Sequence, residues 1–263
     1  MARSKDPITQ ADLAAFVADD SDFSLEMQVL LQLRNIGFRC EHSGTYRDPV
    51  TEKIRQFDIR AVMDHDNYTL VLAVECKNLR LDHPLLISAV PRSEDEAFHN
   101  LAIHEIYPSG FRHSTVRHID SAHSVYKPGE MVGKKTDQVA KDDKGNYSSD
   151  DRATFEKLNQ ALNSCQDLIQ RFVTKASPPL IRAVVPVLAV PSGLLWQVDY
   201  LADGRLQTPP RQVSHTTLFV DHPWRVEQYM PGELMFHLSH IELVTLDSLT
   251  NVSSLWISNG FFF

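Results

Sequence analysis

The sequence predicts an α/β protein in which a mixed β-sheet is flanked by helices. Helices are predicted over residues 22–36 and 153–173, where apolar residues recur every three to four positions. Strands are predicted over residues 54–63, 68–76 and 180–190 from alternating or continuous apolar runs. Helices and strands that alternate along a chain in this way are typical of a sheet covered by helices.

The helix over residues 22–36, DFSLEMQVLLQLRNI, carries an apolar stripe. Residues three and four apart lie on the same helix face, so a stripe with this spacing is expected to face the protein interior. The residues predicted to form it are Phe23, Met27, Leu30 and Leu31.

The two strands that follow this helix differ in pattern. In residues 54–63, IRQFDIRAVM, apolar and polar residues alternate, as expected for a strand with one buried face. In residues 68–76, YTLVLAVEC, the apolar run is almost continuous, which predicts a strand buried on both faces. Residues 64–67 between them supply a turn.

The remaining organisation is predicted from segment lengths and composition. Residues 78–151 are too long for a plain connection and are interpreted as an insertion, of which residues 127–152 mix Lys, Asp and Gly like a mobile loop. Pro186, in the run LIRAVVPVLAV, is expected to disturb a central ladder because proline has no N–H. The prediction is a core of residues 1–190 that carries this insertion, with a β-rich extension, residues 191–263, packed on it.

The composition bounds the class of partner. A net charge of −8 at pH 7 lowers the expectation of a general polyanion binder, although it leaves room for a local basic groove. Three widely spaced cysteines, Cys40, Cys76 and Cys165, fit a reducing cytoplasm better than a disulfide scaffold. No run approaches the ~20 apolar residues of a membrane-spanning helix, so no membrane partner is expected.

Asp58, Glu75 and Lys77 form the constellation that carries chemistry. Glu75 and Lys77 are two apart on a strand and therefore share a face, where charges are costly unless they are paired or bind a metal. If the two strands pair through the turn at 64–67, Asp58 lies opposite a position near Ala73, within reach of Glu75. Carboxylate oxygens suit Mg²⁺, and a lysine beside them can position the water that attacks a phosphodiester.

The strings F-D58-I-R and V-E75-C-K77 resemble the D…(D/E)-x-K signature of the PD-(D/E)xK nuclease superfamily. The order of the predicted elements is also similar to the α-β-β-β-α-β core of these restriction-endonuclease-like proteins. The motif similarity covers residues 22–80, and element order extends it to about residue 190. One departure is Phe57, which stands where the family signature has proline.

The resemblance implies a restriction-endonuclease-like mixed sheet and a Mg²⁺- or Mn²⁺-dependent endonuclease that hydrolyses phosphodiester bonds, with DNA as substrate. It implies that Asp58 and Glu75 ligate the metal and that Lys77 assists the attacking water. A homodimer is also implied, since enzymes of this kind that cut both strands often pair two sites.

Glu26 is a further candidate ligand. It falls on the apolar side of the first helix, where a carboxylate is costly unless it is compensated. Several branches of the superfamily place an additional metal-site carboxylate on this helix, and Glu26 is similar to that residue. The alternative, that Glu26 reaches solvent at the helix edge, stays open.

Basic residues in the insertion are candidates for nucleic-acid contact. They are Arg112 and Arg117, each of which directly precedes a histidine, and Lys134 and Lys135, which follow a glycine. Ordinary solvated charges are the alternative for all of them. Zinc binding by the histidines of this segment is not favoured. Histidines five residues apart do not lie on the same face of a helix, and no cysteine lies among them.

Two other functions compete with the nuclease. One is a non-catalytic protein of the same fold that acts as a binding or assembly module, in which Glu75 and Lys77 are a structural pair. The other is a small-molecule-binding protein whose pocket is the charged cluster. The intact triad favours the enzyme, and the weakness of the basic surface in a chain of net charge −8 favours the alternatives.

Overall fold

A single mixed β-sheet organises the molecule, which is described here by a computed structural model over residues 6–65, 68–109, 112–175, 181–226 and 234–258. The helices within these ranges are α1 (Gln10–Asp19), α2 (Phe23–Asn35), α3 (Arg152–Lys175) and α4 (Leu249–Ser258). The first eight strands are β1 (Arg39–His42), β2 (Thr45–Arg47), β3 (Ile54–Gln56), β4 (Ile59–His65), β5 (Tyr68–Cys76), β6 (Leu85–Pro91), β7 (His99–Ile106) and β8 (Arg112–Ile119). The others are β9 (Met131–Lys141), β10 (Tyr147–Ser149), β11 (Ile181–Val190), β12 (Leu195–Tyr200), β13 (Leu206–Gln212), β14 (His215–Val226) and β15 (Leu234–Thr245).

Thirteen of these strands join one sheet in the order β1-β4-β5-β11-β15-β14-β9-β6-β12-β13, with β7, β8 and β10 attached off this path. Strands β5, β11 and β15 are parallel, and β1, β4 and β5 form an antiparallel set beside them. Strands β2 and β3 pair separately. The predicted class, an α/β protein with a mixed sheet flanked by helices, is confirmed, and the sheet is larger than is usual for one domain.

Strand β5 is buried on both faces, as its apolar run predicts. Leu70, Leu72 and Val74 belong to the cluster under α2 and α4, whereas Val71 and Ala73 belong to the cluster under α3. Alternate residues of one strand thus serve both layers of the core. Polar groups can be accommodated only near the ends of such a strand.

Helix α2 is where predicted, but the stripe assigned to its buried face is wrong. Phe23, Met27 and Leu31 are exposed, although Leu30 is buried. The residues that face the sheet are Leu25, Val29, Leu30 and Leu33. Apolar residues lie on two sides of this helix, and periodicity alone does not determine which side the sheet covers.

Helix α3 lies on the opposite face of the sheet and matches its prediction more closely. Of the residues expected on its inner face, Phe155 is exposed, and the others, Leu158, Leu162, Cys165, Ile169 and Phe172, are buried. Arg60 of β4 donates to Ser164 Oγ at 3.1 Å and pairs with Asp167 Oδ2 at 2.9 Å. This buried ion pair fastens α3 to the sheet beside the apolar contacts.

The segment predicted to be a mobile loop, residues 127–152, instead contains β9 and β10. Strand β9 lies inside the sheet, with β6 on one side and β14 on the other. At Gly133 a side chain would come within 2.6 Å of Ile87 Cγ2, so glycine permits the close approach. The loop prediction failed because backbone pairing needs no apolar side chains, and β9 has few.

Strand β11 is central despite Pro186. It pairs with β5 along Ile181–Ala189, with β7 only at 181–182 and with β15 only from Val187 onward. Pro186 falls in the interval where the second side of β11 has no register partner among the described strands. The expected disturbance of the ladder is therefore confined to that interval.

The predicted extension, residues 191–263, supplies β12–β15 to the same sheet as the predicted core. No helix among the described residues is long and apolar enough to cross a membrane.

Two leucines of α2 test this assignment of its faces. Leu33 is 0% exposed and Leu31 is 60% exposed. Leu33→Ala should lower the free energy of unfolding by about 2–5 kcal/mol, because it leaves a cavity against the sheet. Leu31→Ala should stay within about 0.5 kcal/mol of the wild type. Denaturant unfolding of both variants measures the difference, and a larger loss for Leu31→Ala would reverse the assignment.

Candidate active site

The pairing of β4 with β5 brings Asp58 and Glu75 together. Ile59 is opposite Val74. Asp58, the residue before Ile59, is therefore opposite Glu75 and not Ala73. The expected register was wrong by two residues because pairing continues to His65, inside the turn predicted at residues 64–67. Asp58 Oδ2 accepts a hydrogen bond of 2.8 Å from the Cys76 backbone N–H, which fixes this carboxylate at the end of β5.

Lys157, in the second turn of α3, inserts its ammonium between these carboxylates. Its Nζ lies 2.6 Å from Asp58 Oδ2 and 3.4 Å from Glu75 Oε2. A third carboxylate, Asp22 Oδ2, is 3.7 Å from the same nitrogen. The three carboxylates come from three different parts of the sequence and converge on one cation.

Asp22 also links the cluster to Lys77. It occupies the N-cap position of α2, and its Oδ1 accepts a hydrogen bond of 2.6 Å from the Asn78 backbone N–H. The Lys77 Nζ lies 3.8 Å from the same oxygen. Lys77 therefore reaches the cluster through Asp22, whereas the ammonium in contact with Asp58 and Glu75 is that of Lys157.

Glu75 is the most deeply buried of the three carboxylates. Its side chain is 1% exposed, and Oε1 has no hydrogen-bond partner among the described residues. Burial and then the neighbouring Asp58 carboxylate raise the pKa of Glu75 well above its usual range, against the opposing effect of Lys157. Burial alone would lower the pKa of Lys157, but Asp58 and Glu75 outweigh it, so the pKa of this ammonium is raised.

Glu26 is held elsewhere. Its Oε2 lies 2.9 Å from His42 Nε2, at the end of β1. This contact compensates a carboxylate on the apolar side of α2, which was the difficulty that singled the residue out. A role as a further metal ligand stays a prediction.

The basic residues predicted to contact nucleic acid are spread over the sheet. Lys134 pairs with Glu96 and lies 4.4 Å from the centroid of the Phe219 ring. Lys135 pairs with Asp137 at 2.8 Å. Arg117 is exposed on β8, and the side chain of Arg112 lies outside the described residues. Both lysines carry a protein counter-ion, which a phosphate would have to displace.

Sequence reasoning missed two residues of the site, Lys157 and Asp22. Lys157 belongs to a stripe on α3 whose other members, Thr154, Ala161 and Ser164, are small and buried. That spacing of three to four marks an inner face that an apolarity pattern overlooks. The signal for Asp22 was its residue type directly before a helix, which is typical of an N-cap.

The chemistry of Asp58 and Glu75 fits a hard divalent cation. Both are carboxylates, both are largely buried, and Glu75 Oε1 is a buried acceptor without a donor among the described residues. In the arrangement described, no group of three or more His, Cys, Asp or Glu side chains in these ranges is placed to hold a metal ion.

A second polar cluster lies between β15 and α4, in a cavity of about 520 Å³. Glu242 Oε1 accepts from the Tyr126 hydroxyl at 2.8 Å, and Glu242 Oε2 lies 2.5 Å from His215 Nε2. Both oxygens of this carboxylate are satisfied within the protein. The Asp58–Glu75 pair, with its unpartnered oxygen, is the stronger candidate for chemistry.

Replacing Glu75 by glutamine tests whether the buried charge of this residue destabilises the fold. In metal-free buffer, Glu75→Gln should raise the free energy of unfolding at pH 8 by an amount on the order of 1 kcal/mol, since it removes an unfavourable buried charge. A glutamate in the unfolded chain ionises near pH ~4.3. Because the folded-state pKa is raised, the wild type loses stability as pH rises from there toward the raised value.

The advantage of Glu75→Gln should therefore grow from pH 5 to pH 8 in denaturant unfolding with a chelator present. Glu156→Gln, at an exposed position on α3, is the control and should show no such trend. An advantage that shrinks as pH rises would contradict the assignment.

The functional proposal rests on the geometry of the site and on the sequence, because comparison with known proteins found no match. No protein-family model matches the chain, and no curated protein or solved structure is significantly similar to it.

Proposed function

We propose that this protein is a Mg²⁺- or Mn²⁺-dependent nuclease of the PD-(D/E)xK superfamily that hydrolyses phosphodiester bonds, with DNA as its substrate. The observation that carries the proposal is the meeting of Asp58 and Glu75 at the end of the β4–β5 pair, with the Lys157 ammonium in contact with both and the Lys77 ammonium linked to them through Asp22. Two carboxylates and a cation at one point are what metal-assisted phosphodiester hydrolysis requires.

The order of elements supports the same proposal. Helix α2 is followed by β1, β4 and β5, then by α3 and β11, with the small β2–β3 pair and the β6–β10 segment interposed. Strands β1, β4, β5 and β11 are consecutive in the sheet. With these interposed segments set aside, the order is similar to the α-β-β-β-α-β core that the resemblance implies.

Each residue has a distinct role in the proposed reaction. Asp58 and Glu75 would hold the metal, which when bound polarises a phosphoryl oxygen and acidifies a water. Lys77 would position the attacking water and offset the negative charge that develops on the phosphate. Asp58 is kept in place by the Cys76 backbone N–H, so its orientation does not depend on substrate.

The partners and location are part of the proposal. A substrate of negative charge must approach a chain of net charge −8, so we propose contact through local cations such as Arg117 rather than through the whole surface. We also propose a homodimer, in which two sites cut the two strands. The cysteines Cys40, Cys76 and Cys165 are all free, which supports a reducing cytoplasm.

Cleavage of a panel of duplex, single-stranded and branched DNA and of RNA tests the proposal. The wild type should cut at least one substrate in Mg²⁺ or Mn²⁺ and none in excess chelator. Lys77→Ala and Asp58→Asn should each lower turnover by about 10²–10⁴, the usual contribution of one positioned group. Lys144→Ala, at an exposed position in the turn between β9 and β10, is the matched control and should cut like the wild type.

Metal binding separates the two active-site variants. Asp58→Asn should weaken Mn²⁺ binding in calorimetry, whereas Lys77→Ala should retain it. If Lys77→Ala cuts as fast as the wild type, the role given to Lys77 is wrong. If the wild type binds nucleic acid but cuts nothing, the protein is the non-catalytic module of the same fold.

A further inference from the structure

The Nζ of Lys157 stands where three carboxylates converge. It lies 2.6 Å from Asp58, 3.4 Å from Glu75 and 3.7 Å from Asp22. These carboxylates come from the residue before β4, the end of β5 and the N-cap of α2, so the fold itself assembles the point. Three carboxyl groups surround one position, and in the arrangement described that position is taken by a cationic side chain of the protein and is not shaped to hold a metal ion.

One carboxylate oxygen of Glu75 has no hydrogen-bond partner among the described residues. This is an independent sign that the Lys157 ammonium does not satisfy every acceptor around the position. Glu75 Oε2 faces Lys157, but Oε1 is buried and has no hydrogen-bond partner among the described residues. A buried carboxylate oxygen without a donor costs free energy that a second ligand contact would recover. A hydrated Mg²⁺ could satisfy one oxygen directly and the other through a bound water, whereas Lys157 faces only Oε2.

We infer that Lys157 is a tethered cation that occupies the metal position in the metal-free protein and must leave it before a divalent ion binds, and that Asp22 is a third carboxylate of this position. The inference rests on the proposed function for the identity of the incoming ion. It assigns to Lys157 control of metal affinity, and to Asp22 a ligand role that the sequence signature does not contain.

Electrostatic repulsion opposes the presence of both cations at this position. Mg²⁺ binds carboxylate oxygens at about 2.0–2.1 Å, so an ion held by Asp58 and Glu75 would lie within a few ångströms of the present Lys157 Nζ. Like charges at ~4 Å repel by about 4 kcal/mol for each pair of unit charges, even at the effective dielectric of a protein surface. Lysine has a flexible four-carbon stem, and the Lys157 side chain is 16% exposed, so the ammonium can withdraw toward solvent.

Lys77 provides the internal comparison. Its ammonium is 3.8 Å from Asp22 Oδ1, the oxygen that also accepts from the Asn78 N–H, whereas Lys157 faces Asp22 Oδ2. Removing Lys77 lowers the positive charge near the site but does not vacate the position. Occupancy and general charge can therefore be distinguished by comparing the two lysines.

Calorimetric titration of the metal-free full-length chain with Mn²⁺ tests the inference. Lys157→Met and Lys157→Gln should each bind one Mn²⁺ at least about tenfold more tightly than the wild type, because no ammonium has to be displaced. Lys77→Met should gain clearly less, and Lys135→Met should match the wild type. Adding Asp22→Asn to Lys157→Met should reverse part of the gain.

Amine labelling of the wild type gives a second measurement that needs no variant to fold. In acetic anhydride, Lys157 should be protected without metal and should become more reactive when Mg²⁺ saturates the protein, with Lys135 as the internal reference. Mass spectrometry of the digested chain measures both residues.

Several results would overturn the inference. Binding by folded Lys157→Met that equals or falls below that of the wild type would show that the ammonium does not compete. An equal gain for Lys77→Met would show a general charge effect, and no effect of Asp22→Asn would remove Asp22 as a ligand. If the Lys157 variants do not fold, unchanged or lower labelling of Lys157 in Mg²⁺ overturns the inference.

The same samples separate this inference from the proposed function. Tighter Mn²⁺ binding by Lys157→Met, with no cleavage of any nucleic acid by wild type or variant, would uphold the tethered cation and reject the nuclease. Metal-dependent cleavage by the wild type, with no gain in affinity in either Lys157 variant, would do the reverse.

Discussion

The burial of β5 on both faces is the constraint on which the rest of the structure depends. The strand pairs with β4 on one edge and with β11 on the other, and helices cover it above and below. Water cannot reach its middle, so its backbone groups must be satisfied by these two neighbours. Its charged residue, Glu75, is tolerated only near the end of the strand, where side chains from α2 and α3 can meet it.

Helix α3 is the element that joins this strand end to the body of the sheet. Lys157 binds Asp58, and Asp167 binds Arg60 two residues further along the same chain segment. The guanidinium of Arg60 also lies 4.2 Å from the centroid of the Phe57 ring. The two ion pairs have opposite polarity, since the helix supplies the cation in one and the anion in the other. Both contacts form in the same position of α3 on β4, so together they hold the helix in that position.

The sequence predicted the parts of the fold that depend on local apolar pattern. Helix α3 and strand β5 fall close to the predicted residues because their apolar runs are long and regular. Strand β9 was missed since its place depends on backbone pairing with segments far away along the chain, and its side chains are mostly polar. The buried face of α2 was misassigned because a helix with two apolar sides needs the sheet itself to choose between them.

The candidate site was predictable to a similar degree. Asp58 and Glu75 were found from residue type and strand alternation, which are local properties. Lys157 was not, since it is some eighty residues beyond Glu75, and only the packing of α3 brings the two together. Its helix position carried a weak signal in the small buried residues around it. The partner of Glu26, His42, is likewise a product of tertiary packing, although it lies nearby in sequence.

The central place of β11 has a consequence for how the chain folds. Residues 181–189 of β11 pair with residues 68–76 of β5, more than one hundred positions earlier, and residues 187–190 pair with residues 242–245 of β15. Folding speed falls as contacting residues become more distant in sequence, because the loop between them must be closed before the contact forms. During synthesis, β5 has only β4 as a neighbour until α3 and β11 have emerged, and β11 then presents an open edge until β15 follows. The nascent chain therefore carries an uncovered apolar strand for much of its translation, and exposed strands of this kind are prone to aggregation.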